Sequence, residues 1–236
     1  MRLDKYCTQF VNSRTKAQDL IKNGNVSVNG KTIKKTSFQI EESDDIKINQ
    51  EEESYVSRAA YKLLAAVEAF DIQLKDKIVL DIGASTGGFT DVCIRYGALK
   101  VYALDVGHLQ LNPTLDKNEH VVKMEGRNAR YLEKDWFDSK IDFICMDVSF
   151  ISAKTILDRV FEVLSIDEMV ILIKPQFECG PTNLNKQGVL KDKKLAKKII
   201  ENYKKYFLQQ YPHVDVIPSP IKGRTGNQEF VVYARK

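Results

Sequence analysis

The sequence is short of every feature that would place it in a membrane, a secretory or a disulfide-built class. No apolar run approaches the roughly 18 residues of a membrane span; a run such as Met169 to Ile173 stops far short of it. The first ten residues, MRLDKYCTQF, lack the apolar centre of a secretory signal. These two absences lead to the expectation of a cytoplasmic protein with no membrane span. Cysteine is sparse, and Cys7, Cys93, Cys145 and Cys179 have no paired spacing. That excludes a disulfide framework and a clustered cysteine site, and no metal is expected. A large excess of one charge is missing too, since the net charge is only +4.

What is present is an ordinary globular composition, 43% hydrophobic and 29% charged over 236 residues. That length allows one large domain with a small appendage. The charge is uneven along the chain. Residues 1–40 carry eight Lys or Arg against Asp4 and Asp19, and an acidic stretch with Glu41, Glu42, Asp44, Asp45, Glu51, Glu52 and Glu53 follows. Such a shift marks a domain boundary. The expected organisation is a first domain over 1–50, a linker over 51–54 and a second domain over 55–236.

Within the first domain, Leu3, Phe10 and Val11 suggest one helix, and Ser13 is a candidate N-cap for a second helix through Ala17, Leu20 and Ile21. Gly24 is its C-cap. Val26-Ser27-Val28 alternates as a strand, Asn29-Gly30 is a hairpin turn, and Ile46 to Ile48 reads as a returning strand. The motifs RLD, Ser13-Arg14, Leu20-Ile21, Gly24 and VNGK at 28–31 resemble the S-four RNA-binding domain. The resemblance implies a small α+β RNA-binding unit, with Arg2, Arg14, Lys16, Lys22 and Lys31 as candidate phosphate contacts.

The second domain alternates strands and helices, which predicts a mostly parallel sheet covered on both faces. Seven strands are expected, at Ile78–Ile82, Val101–Val106, Val121–Met124, Phe143–Val148, Val170–Lys174, Val214–Ile217 and Phe230–Tyr233. The first runs into the glycine-rich turn DIGASTGGFTD at 81–91. Glycines there let the backbone approach a nucleoside at the carboxyl end of a strand. The spacing is not the G-x-G-x-x-G of a nicotinamide site, and Asp81 suits a cationic amino-acid ligand better than a pyrophosphate. S-adenosyl-L-methionine fits both observations. Asp81, Gly83, Ser85, Thr86, Gly87, Gly88 and Phe89 are the candidate turn residues. Asp105, 24 residues after Asp81, is placed to accept from the ribose hydroxyls. Asn128, after the third strand, is either an adenine contact or a cap.

Two charged residues close apolar strands: Asp147 in MDVSF and Lys174 in IKPQFE. With Lys62 in SRAAYKL and Glu229 in GNQEF they match the lysine, aspartate, lysine and glutamate tetrad of the FtsJ-like ribose 2′-O-methyltransferases, a family with a seven-stranded Rossmann-like fold. The wording DIGASTGGFTD, MDVSFIS, LIKPQFE and GRTGNQEF, together with the front domain, resembles the TlyA hemolysin-like ribosomal RNA cytidine 2′-O-methyltransferases along essentially the whole chain. The resemblance implies ribose methylation of ribosomal RNA in ribosomal subunits. It also implies Lys174 as the base, or as a charged group that only orients the hydroxyl. Lys62 is expected to lower the proton affinity of Lys174 by repulsion, with the carboxylates opposing. The competing classes are a membrane-active hemolysin and a non-catalytic RNA-binding or ribosome assembly factor.

Two segments stand outside this scheme. Residues 191–205 carry seven lysines, with Leu195, Ile199, Ile200 and Tyr203 at helical spacing, and read as an amphipathic surface helix rather than an RNA track. Arg224 in KGRTG is a candidate phosphate contact.

Overall fold

The computed structural model describes residues 1–11, 14–22, 24–49 and 55–236, with 15 and 16 described by backbone alone. Its internal contacts separate Met1–Ser54 from Tyr55–Lys236. The linker expected at 51–54 and the Ser13 cap lie outside the described residues.

The first unit contains α1 (Leu3–Cys7), α2 (Arg14–Lys22), β1 (Val26–Val28), β2 (Lys31–Thr32) and β3 (Ile46–Ile48). The two-residue turn at Asn29 and Gly30 takes positive φ at both positions, 50° and 75°, which is why an Asn-Gly pair stands there. It folds β2 back onto β1, and β3 pairs with the other edge of β1, so the order is β2-β1-β3. After α2, the Asn25 N–H donates to the Leu20 carbonyl at 3.0 Å across Gly24, whose φ is +84°. That is the C-cap expected of this glycine. Helix α1 is shorter than the pattern suggests: it stops at Cys7, and Phe10 lies beyond it, half exposed. Leu3, Cys7, Ala17, Ile21, Val26, Val28 and Ile40 form the core.

In this unit one buried acid organises the basic residues. The Asp4 carboxylate has no exposed surface. It accepts from Arg2 Nε at 2.9 Å, from Arg14 at 3.0 Å and from Gln18 at 3.1 Å. The Arg2 hydrogen bonds hold its pKa well below the ordinary carboxylate range, against the opposing pull of burial.

The second unit runs α3 (Ala60–Phe70), β4 (Ile78–Ile82), α4 (Gly88–Arg95), β5 (Lys100–Asp105), α5 (Pro113–Asp116), β6 (Val121–Glu125), β7 (Phe143–Met146), α6 (Ala153–Val163), β8 (Glu168–Ile173), α7 (Pro175–Glu178), α8 (Lys193–Phe207), β9 (His213–Pro218) and β10 (Phe230–Arg235). All seven expected strands are present, in the order β6-β5-β4-β7-β8-β10-β9. Strands β4 to β8 are parallel, and β10 is inserted antiparallel between β8 and β9. Three expected carboxyl ends come early: β5 stops at Asp105, leaving Val106 exposed, β7 stops at Met146, leaving Asp147 and Val148 beyond it, and β8 stops at Ile173, leaving Lys174 as the N-cap of α7.

The near-continuous apolar strands follow from burial on both faces. Side chains alternate across a strand. Val79, Phe143 and Val170 therefore join Leu63, Val67 and Val92 of α3 and α4. Leu80, Ile144 and Ile171 join Leu157, Val160, Ile200 and Phe207 of α6 and α8 on the opposite side.

Candidate active site

The register of the central strands decides what converges at their carboxyl edge. Ile82 pairs with Met146, Met146 with Ile171, and Ile173 with Phe230 of the antiparallel strand. Asp147, one residue past β7, Lys174, one residue past β8, and Glu229, one residue before β10, are thereby brought to one edge. Lys62 enters from the first turn of α3. Its Nζ donates to Asp147 Oδ2 at 3.1 Å and to Glu229 Oε2 at 2.8 Å, while Lys174 Nζ lies 2.6 Å from Asp147 Oδ1. Lys62, Lys174 and Glu229 are 8%, 7% and 3% exposed. Four charged groups in so little water need each other, because an isolated buried charge is strongly disfavoured.

Burial by itself disfavours the Lys62 ammonium, but Asp147 and Glu229 outweigh it and leave its pKa above the ordinary lysine value. Asp147 bridges the two lysines, so the expected repulsion between them acts across an intervening carboxylate. Lys174 also donates to Ser149 Oγ at 2.7 Å. Sequence reasoning missed this partner, because a serine three residues past a strand carries no signal of its own. It also missed Phe150, whose ring is 90% exposed and whose φ is +64°. The Phe150 ring lies 5.1 Å from that of Phe177, centroid to centroid. A bulky residue in the left-handed region is strained and marks sites that the surrounding structure enforces. The loop is held from below by Glu178, which accepts from Ser152 Oγ at 2.7 Å and from the Ala153 N–H at 2.8 Å.

The glycine turn lies beside this edge. Gly83 has φ +84°, and a Cβ there would come within 2.8 Å of the Asp147 carbonyl oxygen; at Gly87, φ +90°, one would come within 2.4 Å of Leu115. Any side chain at either position would break the turn. Asp81 is wholly buried: Oδ2 accepts from Thr90 Oγ1 at 2.7 Å, and Oδ1 has no partner. Burial pushes its pKa up to about 7, partly offset by the Thr90 hydrogen bonds. Asp105 ends β5, with Oδ2 accepting from Ser85 N–H at 2.8 Å and Oδ1 from Gly107 N–H at 2.7 Å. Each oxygen keeps a further lone pair for a ligand hydroxyl. Thr86 belongs to the same turn, its carbonyl accepting from Asn112 N–H at 3.2 Å. Gly88 opens α4, and Phe89 is buried in the core with Val92. The Asn128 oxygen caps a 3-10 turn by accepting from Arg130 N–H at 3.1 Å.

This geometry fits S-adenosylmethionine on two counts. The unpartnered buried Asp81 oxygen calls for a donor or a cation, and the left-handed glycines leave a cradle that a Cβ would fill. Of the candidate RNA contacts, Arg2 and Arg14 are both tied to Asp4 yet retain 43% and 62% side-chain exposure. Lys22 and Lys31 are exposed, and the side chain of Lys16 lies outside the described residues. Among the described residues, no helix is long and apolar enough to cross a membrane.

The FtsJ-like methyltransferase model matches residues 55–236, and the S4 domain model matches residues 1–46. Hemolysin A of Brachyspira hyodysenteriae is 43% identical over 238 residues, which cover 99% of this chain and 99% of that protein. The 23S rRNA (cytidine-2′-O)-methyltransferase TlyA of Campylobacter jejuni is 36% identical over 254 residues, covering 99% of this chain and 98% of that one. A solved structure from Streptococcus thermophilus that bears the hemolysin label aligns with a TM-score of 0.76 at 34% identity, covering 100% of this chain and 88% of that chain. With the S4 domain ahead of it and these relatives spanning its length, the chain belongs to the FtsJ-like methyltransferase family, in the branch that includes TlyA and hemolysin A.

Proposed function

We infer that the chain methylates a ribose 2′-hydroxyl of ribosomal RNA, at a cytidine, with S-adenosyl-L-methionine as donor. Residues 1–50 dock the RNA, 51–54 link, and 55–236 carry the chemistry. The observation that carries this reading is the buried Lys62, Asp147, Lys174 and Glu229 chain at the same sheet edge as the glycine turn. The name of the Campylobacter relative supports the substrate.

When bound, S-adenosylmethionine supplies the electrophilic methyl group. Asp81 offers its unpartnered oxygen to the donor's cationic end, and Asp105 offers lone pairs to the ribose. Val106 and Leu109, exposed apolar side chains next to Asp105, offer a surface for a purine ring. The amine form of Lys174 has two N–H bonds and one lone pair. Ser149 Oγ accepts one of those N–H bonds at 2.7 Å and Asp147 Oδ1 lies 2.6 Å from the nitrogen, which holds Nζ in place while its lone pair takes a hydroxyl proton. Asp147 then stabilises the ammonium that results, and Lys62 fixes Asp147 and Glu229 in place. Phe150 presents an aromatic face to the base of the target nucleotide.

The test is transfer of a labelled methyl group to purified ribosomal subunits, followed by mapping of the modified ribose. Absence of transfer to both subunits, with the donor bound, would reduce the chain to an RNA-binding factor. Two outcomes follow from the geometry. Because a cation beside Asp81 favours its ionised form, donor affinity is expected to rise with pH through about 7, with net proton release on binding. Asp81→Asn should abolish that dependence, and calorimetry in buffers of different ionisation enthalpy checks both. Phe150→Ala is expected to weaken methylation about 10-fold or more through lost stacking, of order 1–3 kcal/mol per base. Donor affinity should be unchanged in the same protein.

A further inference from the structure

The first half of α8 concentrates exposed lysines that have no carboxylate partner among the described residues. Lys77, Lys100, Lys123 and Lys236 each pair with a carboxylate. Among the described residues, none of Lys193, Lys194, Lys197 and Lys198 does, and all four are exposed. Helix α8 is capped by Asp192, whose carboxylate accepts from the Lys194 and Leu195 N–H groups at 2.8 and 3.0 Å, but no acid lies within its first turn. It carries lysines there, at like-charge spacings of three and four, which repel one another. The Asp192 cap and the buried Ile199, Ile200, Tyr203 and Phe207 hold the helix in place against that repulsion.

Its placement ties that charge to the active site. Tyr203 OH lies 3.2 Å from Ser152 Oγ and accepts from the Lys154 N–H at 3.0 Å, at the start of α6. Helix α8 precedes β9, which runs parallel to β8, so α8 starts at the carboxyl edge of the sheet. The ten residues before Tyr203, about 15 Å of helix, therefore run past the start of α6 on the side where the tetrad lies. The segment leading into α8 is bolted to the loop before β10. Asn227, 4% exposed, accepts from Leu190 N–H and donates to the Gly188 carbonyl, both at 2.9 Å. That loop packs Gly223 against Glu229 and carries the exposed Lys222 and Arg224.

We propose that the first half of α8, with Lys222 and Arg224 on the Asn227-anchored loop, is a second RNA-backbone surface, belonging to the methyltransferase unit itself and leading phosphates to the tetrad. This rests on the RNA methyltransferase reading above; α8 is the amphipathic surface helix expected from the sequence, and a ligand for its exposed face goes beyond that expectation. Polyanion binding is what an unpaired, like-charged and rigidly held lysine array suits, because each phosphate neutralised releases counterions.

The test compares two equal charge losses on one helix in the full-length protein. Lys194→Gln/Lys198→Gln removes charge from the proposed surface, and Lys204→Gln/Lys205→Gln removes the same charge from the far end. Glutamine keeps helix propensity. Filter binding to a 23S rRNA transcript over a KCl series should show the first pair raising Kd about 10-fold. Its log–log salt slope should shrink by about 1.4–1.8, at 0.7–0.9 per phosphate contact. Donor affinity and kcat at saturating transcript should be retained, and the second pair should behave as wild type. Equal effects of the two pairs, or an unchanged slope in the first, would overturn the proposal. So would a first pair that binds RNA normally but loses binding to phosphatidylglycerol vesicles, which would make the surface a membrane contact. Wild-type protein that binds with the expected slope but transfers no methyl group would sink the methyltransferase reading and leave the surface standing.

Discussion

Lys174→Ala is expected to lower single-turnover methyl transfer by about 10²–10⁴-fold, the usual range for a positioned base. S-adenosylmethionine affinity should stay within about twofold, because the side chain acts on the nucleophile and not on the donor. Lys174→Arg sharpens the result. Arginine keeps the charge and can still reach Asp147, but it does not give up its proton in proteins. If Lys174 is the base, both variants fail; if it only orients the hydroxyl as a cation, arginine restores most of the rate. Ser149→Ala should reproduce part of the loss, and Ser149→Thr, which keeps the hydroxyl, should recover it. Near-normal turnover by Lys174→Ala would show that the tetrad is a structural ion-pair cluster.

The second large effect is expected in the N-terminal unit. Asp4→Ala removes the one acceptor that holds Arg2, Arg14 and Gln18 together. In so small a unit the loss should lower the melting temperature by on the order of 10 °C. A folded-state pKa held below the ordinary value, 3.8, gives stability that is present above that value and is lost as pH falls through the folded one. The wild-type unit should therefore loosen in acid below about 3.8, and Asp4→Asn, with nothing to titrate, should flatten that limb. Methylation of ribosomal subunits should show a raised KM in Asp4→Ala, while donor binding stays normal. Identical melting curves for variant and wild type would remove Asp4 from the fold's framework and leave Arg2 and Arg14 free for RNA.

The difference between these two sites shows what a sequence makes readable. Val79 and Leu80 face opposite apolar layers, so the strand appears as an unbroken hydrophobic run, and the charged residue closing such a run stands out. That made Asp147 and Lys174 visible, and the neighbouring glycines marked the turn. Arg2 and Arg14 were just as visible as basic residues, but their common partner was not. Asp4 reads in sequence as part of the RLD motif and as one of two negative charges among eight positive ones, with nothing to mark it as buried. Its importance comes from burial between α1 and α2, which no spacing rule encodes. Ser149 was hidden for a similar reason: its significance lies in Lys174, 25 residues further on. Phe150 looks in sequence like one more apolar residue after a strand, and only its left-handed backbone turns it outward. Phe10 is the converse case. Its apolar character suggested a longer α1, but the helix ends at Cys7, and the ring rests on Tyr6 with centroids 5.4 Å apart.

The insertion of β10 between β8 and β9 also sets when the chemistry can exist. The hydrogen bond between Lys62 and Glu229 joins residues 167 positions apart, and Glu229 is placed by β10, which lies between β8 and β9. Contacts of such long sequence separation form late, because their loop-closure entropy must be met before they contribute. A chain still emerging during synthesis is therefore expected to shape its glycine turn before the four charged groups are joined. On the proposed mechanism, methyl transfer becomes available only once β10 has placed Glu229 in the tetrad, so a partly synthesised chain is expected to be chemically silent.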